Sequence, residues 1–304
     1  MQQLMTGKIL LVTGGTQGLG LAIAEAAARE GAAGVAIVGR NAEKAERALD
    51  AIRAAGSSGT AGRSGSAAAH GPSASSGISG ASGSAASQGS SAASDASGGT
   101  EVLGIVADLG TPGEAERAVA ETIERFGRID SLVNAAGATS RGTLLDTTRE
   151  LLNDHLAVNL VAPFMTMQAA VADMRGRGAP GTILNIISMA MHGGQPYLAP
   201  YTASKAGLAG LTKNVAFAHR FDRIRINGLN IGWTATPGEA VTQKTSHGAS
   251  DDWLAEASAA QPMGKLGQPD EIADAVVFLL SDRSGVVTGS IIDWDQNVPG
   301  AYDQ

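Results

Sequence analysis

A tyrosine and a lysine at i and i+4, Tyr201 and Lys205, follow thirteen positions after Ser188, which closes the β-branched run Asn185-Ile186-Ile187-Ser188. On a helix that spacing puts both side chains on one face, about 6 Å apart between Cβ atoms. A free phenol, with a pKa near 10, is a poor base at neutral pH, but an ammonium held nearby favours the phenolate. Moving the pKa from roughly 10 to roughly 7 needs about 4 kcal/mol, which a partly desolvated lysine and a cationic ring beside it could supply together. The pair then reads as a proton shuttle working near pH 7. The serine hydroxyl adds a group that both donates and accepts, as a carbonyl/alcohol pair requires. Taken alone, a YxxxK pair reads more readily as a half-buried tyrosine beside a solvated lysine; the motifs that follow reverse that.

The chain around these residues can bury a full core: 304 residues, 43% hydrophobic, consistent with one α/β domain over 1–304. A net charge of -7 argues against a nucleic-acid partner. The lack of cysteine excludes disulfides and thiolate metal sites, and the five histidines show no metal-ligand spacing, so no metal is expected. No apolar run approaches the ~18 residues of a membrane span, and MQQLMTGK lacks a signal-peptide core. A soluble, cytoplasmic protein without a membrane partner is expected.

In chain order, the β-rich run KILLVTGG precedes the alanine-rich helical pattern TQGLGLAIAEAAAREGA. Between them, Gly14, Gly18 and Gly20, with Thr16, Gln17 and Leu19 interleaved, let backbone approach a pyrophosphate resting on a helix N-terminus. The plain alternative is a glycine-rich turn. The next strand, GVAIVGR, ends at Gly39-Arg40-Asn41. An acidic residue there usually bonds the ribose hydroxyls of NAD, whereas Arg40 can pair with a 2′-phosphate through two N–H groups. NADP(H) is therefore expected, with NAD(H) acceptable should Arg40 only stack on adenine. After the helix NAEKAERALDAIRAAG, residues 57–99 are mostly Ser, Gly and Ala, read as a flexible surface insertion.

Beyond it the alternation resumes: strand VLGIVADL, helix TPGEAERAVAETIERFG, strand SLVNAAG, helix RELLNDHLAVNLVAPFMTMQAAVADM, strand GTILNIIS, the YTASK helix and strand IRINGLNIG. Such alternation implies right-handed βαβ crossovers, a doubly wound parallel sheet and a three-layer α/β/α domain. Ligands bind outside the carboxyl ends of such strands, where every motif named here falls.

TGGTQGLG, Asp108-Leu109, Asn134-Ala135-Ala136-Gly137, Asn159, Ser188 and YTASK occur in the order and rough spacing of the short-chain dehydrogenase/reductase family, which the chain resembles over nearly its whole length outside the insertion. The resemblance implies a Rossmann fold and an NAD(P)-dependent oxidoreductase. It implies that Asp108 and Leu109 flank the adenine, that Asn134 to Gly137 run their backbone past the adenosine and its ribose while stabilising the central sheet, and that Asn159 kinks its helix and holds a water linking Lys205 to solvent. Ser188 would bond the reacting oxygen, Tyr201 would give or take its proton, and Lys205 would bond the nicotinamide ribose and lower the tyrosine pKa. After strand six the family usually carries Pro-Gly and then a threonine on the carboxamide. Here Ile231 replaces the proline, followed by Gly232, Thr234 and Thr236, so that site is expected to survive with a freer backbone. Asp293-Trp294-Asp295-Gln296 departs from the usual Asp-Gly-Gly, which implies repacking of the terminus or of a subunit contact.

The segment 233–263, with Pro/Gly ends and a helical middle, has the form of a lid. Met189, His192, Gln195, Tyr197 and Trp233, together with Ser188 and Tyr201, are the candidate substrate contacts, a mix suited to a sugar, a polyol or a 3-oxoacyl group. The expected activity is NADP(H)-preferring interconversion of a secondary alcohol and a ketone; the alternative is a dinucleotide sensor without turnover. Apolar faces on the helices at 153–174 and 201–217, paired across a two-fold axis in the resembling family, imply a homodimer or homotetramer.

Overall fold

The computed structural model describes residues 3–61 and 99–300. A seven-stranded, all-parallel sheet organises them: β1 (Ile9–Thr13), β2 (Gly34–Gly39), β3 (Glu101–Val106), β4 (Ser131–Asn134), β5 (Gly181–Ile186), β6 (Ile224–Ile231) and β7 (Ile291–Trp294), in the order β3-β2-β1-β4-β5-β6-β7. β1, β4 and β5 are buried along their whole length, as a parallel sheet covered on both faces requires. One face packs against α1 (Gly18–Arg29), α2 (Ala42–Ala61) and α9 (Pro269–Leu280), with Leu10, Val12, Ile23, Ile52 and Val276 in its core. The other packs against α3 (Glu114–Phe126), α5 (Ala162–Gly176) and α6 (Ala199–His219), around Leu11, Ile105, Val119, Met167 and Ile183. The chain direction across the sheet reverses between β1 and β4, so their carboxyl ends open a crevice at the switch point.

The long helix expected around Asn159 is interrupted. After α4 (Arg149–Leu156) one π-helical turn, Ala157–Val161, precedes α5. Pro163 has no N–H to give the carbonyl of Asn159 four residues earlier, and the helix widens there. The combined helix, 28 residues over Arg149–Gly176, is long and apolar enough to span a bilayer, contrary to the expectation of no such run. One face of it enters the core, where Met167, Ala170, Val171 and Met174 are buried, while Val161 and Phe164 stay exposed.

Three further differences stand out. α2 continues to Ala61, so the first residues of the 57–99 stretch are helical; the rest of that reading, 62–98, lies outside the described residues. The lid segment forms two helices, α7 (Pro237–His247) and α8 (Trp253–Ala259), separated by a left-handed Gly248. α9 and β7 were not anticipated, although PDEIADAVVFLL carries a proline in its first turn, two acidic residues there and apolar spacing of three and four.

Candidate functional site

The crevice begins at the β1–α1 turn. Gly14 has φ +69, and a Cβ on it would stand 2.8 Å from the Ala136 Cα; a Cβ on Gly20 would stand 2.3 Å from the Gly14 carbonyl oxygen. Only glycine allows the turn and the β4 loop to close together. Thr13 Oγ1 locks that approach by accepting from the N–H groups of Ala135 and Ala136, at 3.1 and 3.2 Å. Gln17, the N-cap of the 12-residue α1, makes no side-chain cap bond, so the first-turn N–H groups face the crevice without a capping acceptor. Gly14, Thr16, Gln17, Gly18, Leu19 and Gly20 all line a cleft of about 420 Å³. An open helix N-terminus, backbone bared by glycine and a volume of this size fit a dinucleotide phosphate seat.

Along the cleft lie Arg40, Asp108 and Leu109, and then Ala135, Ala136 and Gly137. Arg40 is exposed, and Lys44 of α2 reaches across to Gln17 Oε1 at 2.6 Å, so two cations flank this end. Asp108 Oδ1 accepts from Gly110 N at 3.0 Å, which fixes the loop after β3. Two residues assigned to the cofactor are turned elsewhere. Asn41 caps α2, its Oδ1 accepting from Lys44 N at 2.8 Å. Asn134 is buried in a polar chain: Thr166 Oγ1 donates to its Oδ1, its Nδ2 donates to Asn185 Oδ1, and Asn185 Nδ2 donates to Thr212 Oγ1, each at 2.8 Å. This chain ties β4 and β5 to their helices, the sheet-stabilising role expected of the turn, and the Asn134 side chain is not among those lining the cleft.

At the other end Tyr201 and Lys205, both on α6, line the cleft, and Ser188 follows β5 at the start of a 3-10 turn. Tyr201 is half-buried. Burial pushes its phenol above the ordinary value; contact with the Ser188 hydroxyl acts the other way, the Glu239 carboxylate adds to the rise, and the Arg141 guanidinium opposes it. Lys205 is buried, donates from Nζ to the Ile186 carbonyl at 2.7 Å and is pulled down to about 8 by desolvation. Its Nζ stands 5.7 Å from the Tyr201 ring centroid. Desolvation is the largest influence on both groups and favours the neutral form of each. Asn159 Nδ2 donates to the Ala138 carbonyl and to Ser204 Oγ, at 2.9 and 3.0 Å, while Oδ1 accepts from Ala138 N at 2.8 Å. It clamps the β4 loop to α6, so its amide is used in positioning and does not reach into the cleft.

The expected substrate contacts divide. Met189 Sδ and His192 Nε2 lie 3.0 and 3.2 Å from Asn230 Nδ2, which also donates to Asp293 Oδ1 at 2.6 Å. Gln195 is an exposed loop residue. Tyr197 meets His247 of α7 edge to face, with ring centroids 5.4 Å apart, and lies under Arg141. Trp233 Nε1 donates to Glu239 Oε1 at 2.8 Å, and Gln243 Nε2 donates to the same oxygen at 2.7 Å. Ile231 and Thr236 line the cleft; Gly232 and Thr234, assigned with them, instead line a second cavity of about 280 Å³ with Trp233, Trp294 and Asp295. Asp295 packs so closely on Gly232 that a Cβ there would lie 2.0 Å from its Oδ1, which is how the altered terminus repacks. Thr236 Oγ1 caps α7 by accepting from Glu239 N at 3.1 Å, and its hydroxyl proton remains to donate. Glu239, Arg141 and Val158 were missed; for Glu239 the Thr-x-x-Glu capping pattern at 236–239 was a visible signal.

Fold and cleft together define a dinucleotide-binding α/β protein. A family model described as enoyl-(acyl carrier protein) reductase matches residues 74–296, and one described as short chain dehydrogenase matches residues 8–64. The 2-(S)-hydroxypropyl-CoM dehydrogenase 3 of Xanthobacter autotrophicus is 30% identical over 290 residues, 95% of this chain and 96% of that protein. The L-rhamnose 1-dehydrogenase (NAD(P)(+)) of Azotobacter vinelandii is 34% identical over 193 residues, covering 63% and 73% of the two chains. Among solved structures, L-sorbose reductase from Gluconobacter frateurii, complexed with NADPH and L-sorbose, superposes with TM-score 0.80 at 25% identity over 99% of this chain and 100% of that one. The chain belongs to the short-chain dehydrogenase/reductase family and is an NAD(P)-dependent oxidoreductase acting on CH–OH groups of small alcohols and their carbonyl counterparts.

Proposed function

We propose that the protein is an NADP(H)-preferring enzyme that interconverts a secondary alcohol and a ketone on a polar compound of the sugar, polyol or 3-oxoacyl kind, with Tyr201 as general acid and base. The observation carrying this is that Tyr201 and Lys205, one turn apart on α6, both line the cleft at the end opposite the glycine turn. When bound, the nicotinamide supplies or accepts the hydride. Ser188 bonds the reacting oxygen and orients it. Tyr201 donates its proton to that oxygen in reduction and takes it back in oxidation. Lys205, held by the Ile186 carbonyl, supplies a positive charge that becomes favourable once the phenol ionises. Asn159 holds the β4 loop against α6 and so keeps the cleft wall and Tyr201 in one frame.

The NADP(H) preference rests on the exposed Arg40 and on Lys44, two cations at the adenosine end. The relatives named above are consistent with polar substrates. Val161 and Phe164 on the long helix and Phe217 on α6 are large exposed apolar side chains, which supports assembly into a homodimer or homotetramer, measurable as scattering mass. The activity is tested by following NADPH oxidation across a panel of ketoses, 3-oxoacyl thioesters and simple ketones. Turnover of at least one polar ketone is expected. No turnover of any carbonyl compound, with NADPH bound tightly, would instead favour the sensor.

A further inference from the structure

Arg141, on the loop after β4, holds a charge that no carboxylate among the described residues pairs with. Its Nη1 donates to the Thr139 carbonyl at 2.8 Å, its Nη2 meets His247 Nε2 at 3.2 Å, and its guanidinium carbon lies 5.6 Å from the Tyr197 ring centroid. Its Nε is buried with no hydrogen-bond partner, and among the described residues it makes no ion pair. Three separate segments meet here: the β4 loop, the loop before α6 and the last turn of α7. Arg141 does not line the dinucleotide cleft, so its charge is not reserved for the cofactor phosphates, yet its field is felt at the Tyr201 phenol. The Glu239 carboxylate, which also acts on the phenol, makes no ion pair with Arg141 and accepts at Oε1 from the neutral donors Trp233 Nε1 and Gln243 Nε2. A guanidinium fixed by a carbonyl, a ring face and a histidine, whose Nη1 and Nη2 each carry a second N–H, is an arrangement that can pair an oxyanion. An unpaired, partly buried cation is otherwise costly.

We propose that Arg141, framed by Tyr197 and His247, receives a carboxylate carried by the substrate, so that the preferred substrate is an oxo acid or hydroxy acid and not a neutral polyol. The inference rests on the alcohol–ketone reading and narrows its substrate class.

The test pairs 2-, 3- and 4-oxo acids of four to eight carbons with their methyl esters, measuring kcat/KM with NADPH and, by calorimetry, binding to the NADPH-loaded enzyme. Wild type is expected to favour the acid of at least one pair about tenfold or more, the worth of a charge-assisted hydrogen bond. Arg141→Gln should erase that preference and Arg141→Lys should keep part of it. Because the loss of field at Tyr201 affects acid and ester alike, the acid-to-ester ratio isolates the receptor. Equal handling of acid and ester by wild type, an equal loss on both in Arg141→Gln, or no acid bound or turned over would overturn the proposal. Turnover of esters alone would leave the alcohol–ketone reading standing, whereas tight acid binding without turnover would overturn that reading and keep the receptor.

Discussion

Lys205 and Tyr201 share one face of α6, yet they do not hydrogen-bond: Lys205 Nζ donates to the Ile186 carbonyl at 2.7 Å and stands 5.7 Å from the Tyr201 ring centroid. The two are coupled through space. Burial works against charge on both.

That burial makes Lys205 a cost to stability. Its folded pKa of about 8 lies below the ordinary lysine value of 10.5, so the fold penalises the ammonium. The penalty is complete below about pH 8 and disappears as pH rises through 10.5, where both states are neutral. Lys205→Met should therefore abolish activity while stabilising the fold by about 1–3 kcal/mol at pH 7, the upper end being the full shift and the lower allowing for the lost Ile186 bond. Denaturation at pH 7 and pH 10 checks this; a gain that does not shrink at pH 10 would refute the cause.

The buried chain Thr166–Asn134–Asn185–Thr212 makes Asn185 a structural keystone next to the site. Asn185→Leu leaves Asn134 Nδ2 without its acceptor and should cost about 2–3 kcal/mol. Thr212→Val removes the hydroxyl that accepts from Asn185 Nδ2 and donates to the Leu208 carbonyl, but leaves Nδ2 its contact with Met167 Sδ at 3.5 Å, and should cost about 1 kcal/mol. Urea midpoints distinguish the two.

At the adenosine end, Arg40→Asp should raise the NADPH KM about 10- to 100-fold, the equivalent of one charge-assisted pair, while changing the NADH KM far less. Equal effects on the two cofactors would refute a 2′-phosphate contact.

The 57–99 stretch leaves and returns at one place: a Cβ on Gly56 would stand 2.9 Å from Thr100 Oγ1, and one on Gly99 would stand 4.0 Å from Ser57 Oγ. Replacing residues 58–98 with about four glycine and serine residues should keep kcat/KM within about twofold and lower closure entropy slightly. A collapse of activity or of solution mass would assign the segment a role.

Much of the fold is legible because local chemistry enforces it. Glycines 14 and 20 are required by backbone approaches of under 3 Å, and Asn159 with Pro163 four residues later writes the π turn into the chain. What a strand or loop pattern does not record is which way a polar side chain turns at its end. Asn134 and Asn41 look like cleft residues and are a core tie and a helix cap. Gly232 and Thr234 sit beside Ile231 in sequence but face the second cavity. Arg141, Tyr197 and His247 come from distant segments, and no spacing rule unites them before the chain folds. α9 and β7 were readable by periodicity, and the pattern simply extends past strand six.

The central claim, that Tyr201 carries the proton, is tested most directly by kcat of Tyr201→Phe at saturating substrate and NADPH, with Ser188 and Lys205 intact. The ring should keep its packing, including its edge contact with His155 at 6.5 Å between centroids, so the fold should survive. A loss of about 10²–10⁴-fold with Tm preserved is the expected result. Turnover near the wild-type rate would contradict the account.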